Sequence, residues 1–287
     1  MAAAATLLAA CSGGVWDARG PVAAADRQIT LDALAIMLVI VVPTLAAALA
    51  FAWWYRAANP RARRLPDWVY SGRIELLVWS IPLLTIMFLG GVIWIGSHRL
   101  DPRQPIPSAA APLEVQVVSL DWKWLFIYPA QGIAAVNQLV VPAGVPLHFS
   151  LTSASVMNMF FVPQLGSMIA TMNGMVTQLY LQADGPGDYF GESTQFSGDG
   201  FSDMNFTLHA VPAEGFDRWV AQARADGPLL DRAAYELLAR QSAHVRPYTY
   251  RGIDSTLFQA VATQQLPPAP GPQQGRGGPG VQPRAGE

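Results

Sequence analysis

Residues 33–54 read ALAIMLVIVVPTLAAALAFAWW, 22 consecutive positions without a charged side chain. At a rise of ~1.5 Å per residue such a run crosses a ~30 Å hydrocarbon layer, so a membrane-spanning helix is expected from Ala33 to Trp54. Residues 76–96, LLVWSIPLLTIMFLGGVIWIG, form a second uncharged run and predict a partner span from Leu76 to Gly96. Pro43 and Pro82 fall inside these spans, which lipid tolerates where neighbouring groups satisfy the freed carbonyl. A buried hairpin of a soluble protein is the competing reading, and two uncharged runs of this length argue against it.

The segment joining the runs carries Arg56, Arg61, Arg63, Arg64 and Arg73 against Asp67. A short arginine-rich loop stays cytoplasmic, which puts both chain termini on the outer side of the membrane. Trp53, Trp54, Tyr55, Trp68 and Tyr70 crowd the same end, where amphipathic rings favour the headgroup region. The whole chain of 287 residues is 52% hydrophobic with a net charge of −2, so it lacks the clustered basic surface that a nucleic-acid partner requires. Lys123 is the single lysine, and composition attaches no function to it.

Outward from the spans the pattern changes. A Pro/Ala-rich linker at 104–112 leads into short β-rich runs at Leu113–Leu120, Trp122–Tyr128, Gln138–Val141, Pro146–Thr152, Val176–Ala183 and Met204–Ala210, separated by Gly, Pro and Asn. This spacing predicts a β-sandwich or barrel of about 100 residues. Helical periodicity returns at Phe216, Trp219, Val220 and Ala223, and Asp231 is placed to cap a second helix reaching Arg240. The expected division is an N-terminal segment at 1–29, a helix hairpin at 30–98, a β-domain at 110–213, a helical segment at 214–263, and a Pro/Gly-rich tail at 264–287 expected to be disordered. One cysteine, Cys11, excludes an internal disulfide and any site needing two thiolates from this chain. Its setting, Leu7-Leu8-Ala9-Ala10-Cys11-Ser12, resembles a bacterial lipobox in which the cysteine is lipidated, although no Lys or Arg precedes it.

Four blocks carry a more specific resemblance. Arg73-Ile74-Glu75-Leu76-Leu77-Val78-Trp79-Ser80-Ile81-Pro82 resembles the start of the second helix of haem–copper oxidase subunit II. Ser119-Leu120-Asp121-Trp122-Lys123-Trp124-Leu125-Phe126-Ile127-Tyr128-Pro129 is similar to the quinol-oxidase branch of that family, the cytochrome bo type. Residues 156–166 and 187–204 match it at the places where subunit II normally builds its metal site. The resemblance covers roughly residues 30–260 and implies a membrane-anchored α+β chain: a two-helix hairpin, a cupredoxin-like β-barrel, and a short C-terminal helical segment.

In the cytochrome c oxidases, the resemblance implies, that barrel holds two coppers bridged by cysteine thiolates and ligated by two histidines, a methionine and a backbone carbonyl. The corresponding positions here are Asn158, Ser193, Gln195, Ser197 and Phe201, with Met204 alone retained. Gln195 stands where that branch has a glutamate supplying a carbonyl to copper and a carboxylate to magnesium. The chain is therefore expected to bind no cofactor, with haem and copper held by a partner subunit I. Electrons would come from ubiquinol within the membrane rather than from a soluble cytochrome. The implied setting is a proton-pumping quinol oxidase of a bacterial inner membrane, with lipid, subunit I and other oxidase subunits as partners and the β-domain periplasmic. Glu75, seven residues before Pro82, takes the position that the family places at the cytoplasmic mouth of a proton channel. An interfacial acid that merely pairs with Arg73 is the plain alternative for that residue. An anchored cupredoxin-like binding or assembly module is the alternative for the chain.

Overall fold

The computed structural model of the chain describes residues 14–63 and 65–275. They fall into two compact units, residues 26–100 and residues 14–25 with 101–275.

The first unit is a helix hairpin of α1 (Pro21–Trp54) and α2 (Gly72–Arg99). Helix α1 starts well before the uncharged run, at a proline whose missing N–H is no loss in a first turn. Its C-terminal carbonyls are met by the side chains that follow: Arg56 donates to Trp53 O at 2.9 Å and Asn59 to Trp54 O at 2.7 Å. The Arg56 guanidinium also lies 4.9 Å over the Trp53 ring, an arrangement suited to a headgroup layer. The helices touch where Gly96 meets Ile29; a Cβ at 96 would sit 2.8 Å from the Ile29 Cδ1. Both spans expose apolar side chains all round, Val39 at 74% and Trp79 at 75%, so the unit needs lipid or neighbouring helices around it. The chain is membrane-anchored.

The second unit is a two-sheet β-barrel with a helical layer. Its strands are β1 (Leu113–Leu120), β2 (Lys123–Tyr128), β3 (Ile133–Val136), β4 (Gln138–Pro142), β5 (Leu147–Ser153), β6 (Asn158–Val162), β7 (Gly166–Thr171), β8 (Thr177–Leu181), β9 (Gly187–Ser193) and β10 (Asn205–Val211). After them come α3 (Ala213–Ala225), β11 (Leu229–Leu230), α4 (Arg232–Leu238), β12 (Tyr248–Tyr250), β13 (Gly252–Ile253) and α5 (Leu257–Ala262). One sheet runs β12-β3-β2-β1-β5-β8 and the other β4-β10-β9-β6-β7, with β11 and β13 forming a small pair of their own. The pairs β1/β5 and β10/β4 are parallel and the other neighbours in these two sheets antiparallel.

Strand β2 shows why the helical layer exists. Trp124, Phe126 and Tyr128 point between the sheets, where Trp124 and Phe206 meet Phe160 at 5.5 and 5.2 Å. Leu125 and Ile127 point the other way and are equally buried, under Tyr235 and Leu238 of α4 and Leu257 and Phe258 of α5. A sheet apolar on both faces needs a cover on both, so the C-terminal segment is the second wall of a second core. Asp231 caps α4 by accepting from the Ala234 amide at 2.8 Å, and α4 ends at Leu238, short of Arg240.

Two segments behave differently from what composition suggests. Residues 17–24 pair with the barrel: Arg19 N donates to Gln164 O at 2.8 Å, Ala23 N to Leu165 O at 3.1 Å, and Asp184 N to Arg19 O at 2.9 Å. Gly20 lies so close to the Gln182 carbonyl that no side chain fits there. Residues 264–275, expected to be disordered for want of apolar anchors, are tied to the unit through a buried Leu266 and the Ala269 N to Ala154 O bond of 2.9 Å.

Candidate functional site

Strands β6 and β9 pair so that Phe160 faces Ser193, which brings Asn158 at the start of β6 beside the end of β9. Ser193 Oγ donates to Asn158 Oδ1 at 3.2 Å, accepts from the Met159 amide at 3.4 Å, and lies 3.5 Å from the Gln195 carbonyl. Asn158 Nδ2 turns away to Val156 O at 3.3 Å. The Ser193 amide donates to Met204 O at 3.3 Å, drawing the buried methionine to the same end of the barrel. Four of the six sequence-identified positions, Asn158, Ser193, Gln195 and Met204, are therefore linked directly.

The other two join through aromatic rings. Ser197 O accepts from Trp122 Nε1 at 2.9 Å, whereas the Ser197 hydroxyl is buried with no hydrogen-bond partner among the described residues. Phe201 opens a 3-10 turn, Phe201–Asp203, and meets Phe196 edge-on at 5.7 Å. Gly200 permits the turn because a Cβ there would strike the Trp122 ring. This donor set does not fit a binuclear copper centre. Such a centre needs two bridging thiolates and terminal imidazoles; Ser193 and Ser197 offer neutral hydroxyls, the first committed to the Asn158 amide oxygen, and Phe201 has no lone pair.

Among the described residues no group of three or more His, Cys, Asp or Glu is placed to hold a metal ion. Each histidine has a partner of its own: His148 stacks on Tyr180 at 4.4 Å with Glu114 at 2.7 Å, His209 meets Asp188 at 2.7 Å, His244 meets Asp203 at 3.3 Å, and His98 lies 4.4 Å from the Trp94 ring.

Glu75 sits in the first turn of α2, exposed, with its amide bonded to Ser71 O at 3.0 Å. An acid there is favoured by the positive end of the helix dipole. Among the described residues no ion pair joins it to Arg73. Cys11 lies outside the described residues.

Sequence reasoning passed over a buried charge, one of two such side chains among the described residues. Lys123 is wholly buried, and its ammonium donates to Asp121 O at 3.2 Å, Arg240 O at 2.7 Å and Ser242 Oγ at 2.9 Å. Burial pulls it down to about 8, with the charge of Asp121 acting in the opposite sense. Burial likewise raises Asp121, against a hydrogen bond from Ser155 and the charge of Lys123. From Ser155 the polar chain continues: its amide donates to Ser153 Oγ at 3.1 Å, and that hydroxyl and Asn158 both donate to Val156 O. Lys123 is thus linked residue by residue to the Asn158–Ser193 pair, through the backbone carbonyl and then the carboxylate of Asp121 and the hydroxyl and then the amide of Ser155.

The family model "Cytochrome C oxidase subunit II, periplasmic domain" matches residues 115–211. "Ubiquinol oxidase subunit 2" of Acetobacter aceti is 46% identical over 258 residues, spanning 87% of this chain and 84% of that protein. "Cytochrome bo(3) ubiquinol oxidase subunit 2" of Pseudomonas aeruginosa is 43% identical over 260 residues, spanning 91% and 78%. "Quinol oxidase subunit 2" of Bacillus cereus is 34% identical, spanning 79% and 78%. Among solved structures, the periplasmic domain of cytochrome oxidase subunit II of Bradyrhizobium japonicum matches with a TM-score of 0.39 and 22% identity, over 40% of this chain and 96% of that one. With two apolar helices ahead of a cupredoxin-like barrel and these relatives over most of its length, the chain belongs to the ubiquinol oxidase subunit 2 family of the haem–copper oxidases.

Proposed function

We propose that this chain is the metal-free subunit II of a proton-pumping quinol oxidase, contributing structure and a proton path and leaving redox chemistry to its partners. The observation that carries the reading is the donor set at the β6/β9 end. With serine hydroxyls and a phenyl ring where copper-bearing members have thiolates and imidazole, a soluble donor has no relay to reduce. A lipid-soluble ubiquinol avoids that relay by delivering electrons inside the membrane to haem in a partner subunit I, where dioxygen is reduced to water. The names of the relatives support a quinol donor.

The chain's own part follows from its residues. The hairpin supplies two apolar surfaces for lipid and partner helices. The arginine-rich connection between them lies on the cytoplasmic side, which makes the β-domain and both termini periplasmic. Glu75, exposed in the first turn of α2, stands at the cytoplasmic mouth of the proton path, where a carboxylate takes up and releases protons. Cys11 carries a lipid, a second hold on the membrane besides the spans.

The reading is tested by purifying the chain from its native membrane through an affinity tag. Stoichiometric haem and oxygen uptake driven by ubiquinol, but not by reduced cytochrome c, are expected. A chain that arrives without haem would favour the anchored binding or assembly module instead, and turnover on cytochrome c would overturn the donor assignment.

A further inference from the structure

The loops that hold the substituted positions do not end at the barrel surface. After α5, Leu266 is buried in the second core, and the chain then runs through Pro267, Pro268, Pro270 and Pro272 without forming a helix or strand. Ala269 N donates to Ala154 O at 2.9 Å, in the loop that leads to Asn158. Gly271 and Pro272 then pass the same end: a Cβ at Gly271 would lie 3.4 Å from Val156 Cγ1, and one at Gly198 would lie 3.2 Å from the Pro272 Cβ.

Gln241 holds the segment down from the other side. Its Oε1 accepts from Gln273 N at 2.7 Å, and its Nε2 donates to Gly275 O at 2.7 Å. Gly275 N donates in turn to Asp199 Oδ2 at 2.8 Å, in the loop between Ser197 and Phe201. Pro270 and Gly271 line, together with Asp121 and Gln241, an open cavity of about 370 Å³. The segment therefore bridges both loops that carry the substituted positions and shares a cavity with Asp121 of the Lys123 network. Four prolines restrict the free segment, so ordering it takes little entropy and a few hydrogen bonds suffice to seat it.

We propose that residues 266–275 are a cis-acting strap that closes the barrel end formed by residues 153–156 and 197–200, shutting it to solvent and to soluble proteins. The inference stands on these contacts alone and holds whether or not the chain acts in a quinol oxidase.

The test uses the full chain in detergent with Cys11→Ser, so that an introduced thiol reports by itself. Ser197→Cys is expected to react slowly with a maleimide. Removing residues 269–287 should speed the reaction at least about tenfold, and Gln241→Ala, which releases the strap without shortening the chain, should speed it severalfold. A thiol at Ser119→Cys, between the sheets, should stay unreactive in both backgrounds. Equal Ser197→Cys rates with and without the strap would overturn the proposal. Should truncation also expose Ser119→Cys, the Gln241→Ala chain decides by the same comparison.

Discussion

Replacing Lys123 by Met keeps the side-chain length and removes the ammonium, and its consequence can be worked from the structure. Three N–H groups are lost, leaving the carbonyls of Asp121 and Arg240 and the Ser242 hydroxyl without their donor. Asp121 stays buried with only the Ser155 hydroxyl to steady its charge. Removing one side of a buried charge arrangement costs about 3–5 kcal/mol, so a loss of this size is expected near neutral pH. The pH dependence gives an independent check. The folded chain releases the Lys123 proton at about 8, whereas an unfolded lysine keeps it to its usual 10.5. Between those values the unfolded state binds more protons at this site, so the advantage of wild type over Lys123→Met should grow with pH across this window, by ~3 kcal/mol in all, while buried tyrosines such as Tyr128 and Tyr235, whose burial raises them, impose an opposing fall toward pH 10 that both chains share. Below about 8 the cost of the buried charge is fully present. Lys123→Met should keep only the shared fall, and Asp121→Asn with Lys123→Met should lose less than Lys123→Met alone because no carboxylate is stranded. Denaturant unfolding of the chain in detergent, followed by near-ultraviolet circular dichroism of the Trp124–Phe160–Phe206 cluster at several pH values, reads all three. A Lys123→Met chain at least as stable as wild type at neutral pH, or a difference between the two chains that stays constant through the window, refutes the reasoning.

Glu75→Ala should slow ubiquinol-driven oxygen uptake with haem content and assembly intact, and Glu75→Asp should retain more activity; unchanged turnover in Glu75→Ala across pH removes the proton-path assignment. Intact-mass measurement should find Cys11 as a lipidated N-terminus, and an unmodified segment running through Cys11 ends that idea. Asn158→His, Ser193→Cys, Ser197→Cys and Phe201→His together, with the Gln195 carbonyl and Met204 in place, should bind two coppers and give the intense visible absorption of a thiolate-bridged pair. The experiment needs the whole chain, since a fragment ending near Ala213 would strip Lys123 of Arg240 and Ser242. A folded variant that takes up no copper pair defeats it.

What the sequence conveys about this fold depends on whether a segment's partners are local. The spans declare themselves by length and lack of charge, and Asp231 announces the start of α4, because both signals sit within a few residues. Strands β3, β6, β7 and β9 were not among the expected runs. β3 is alanine-rich, β7 and β9 start with glycine, and these strands exist because neighbours complete their ladders, Phe160 against Ser193 and Thr207 against Phe190. The candidate site was legible residue by residue through its resemblance to a metal-bearing loop. Its supports were not. The lone lysine gave no hint of burial, since its partners Arg240 and Ser242 lie more than a hundred positions away. Residues 264–275 looked unanchored because their anchors are a glutamine side chain at 241 and a carboxylate at 199.

A loop built around a metal pair ordinarily loses its shape when the ligands go, because coordination is what cross-links it. Here each cross-link has a replacement of ordinary protein chemistry. Ser193 holds Asn158 by a hydrogen bond where two coordinating atoms would have met through copper. Trp122, with a backbone φ of 65°, turns its indole N–H onto the Ser197 carbonyl and fills the space over Gly200 that any side chain would block. Phe201 exchanges an imidazole's lone pair for an edge-to-face contact with Phe196. The Ser193 amide still reaches Met204 across the base of the loop. None of these contacts depends on oxidation state or on metal supply. This end of the barrel is cross-linked by hydrogen bonds and ring contacts, joined to the Lys123 network through Asp121 and Ser155 and to the C-terminal segment through Ala154 and Asp199.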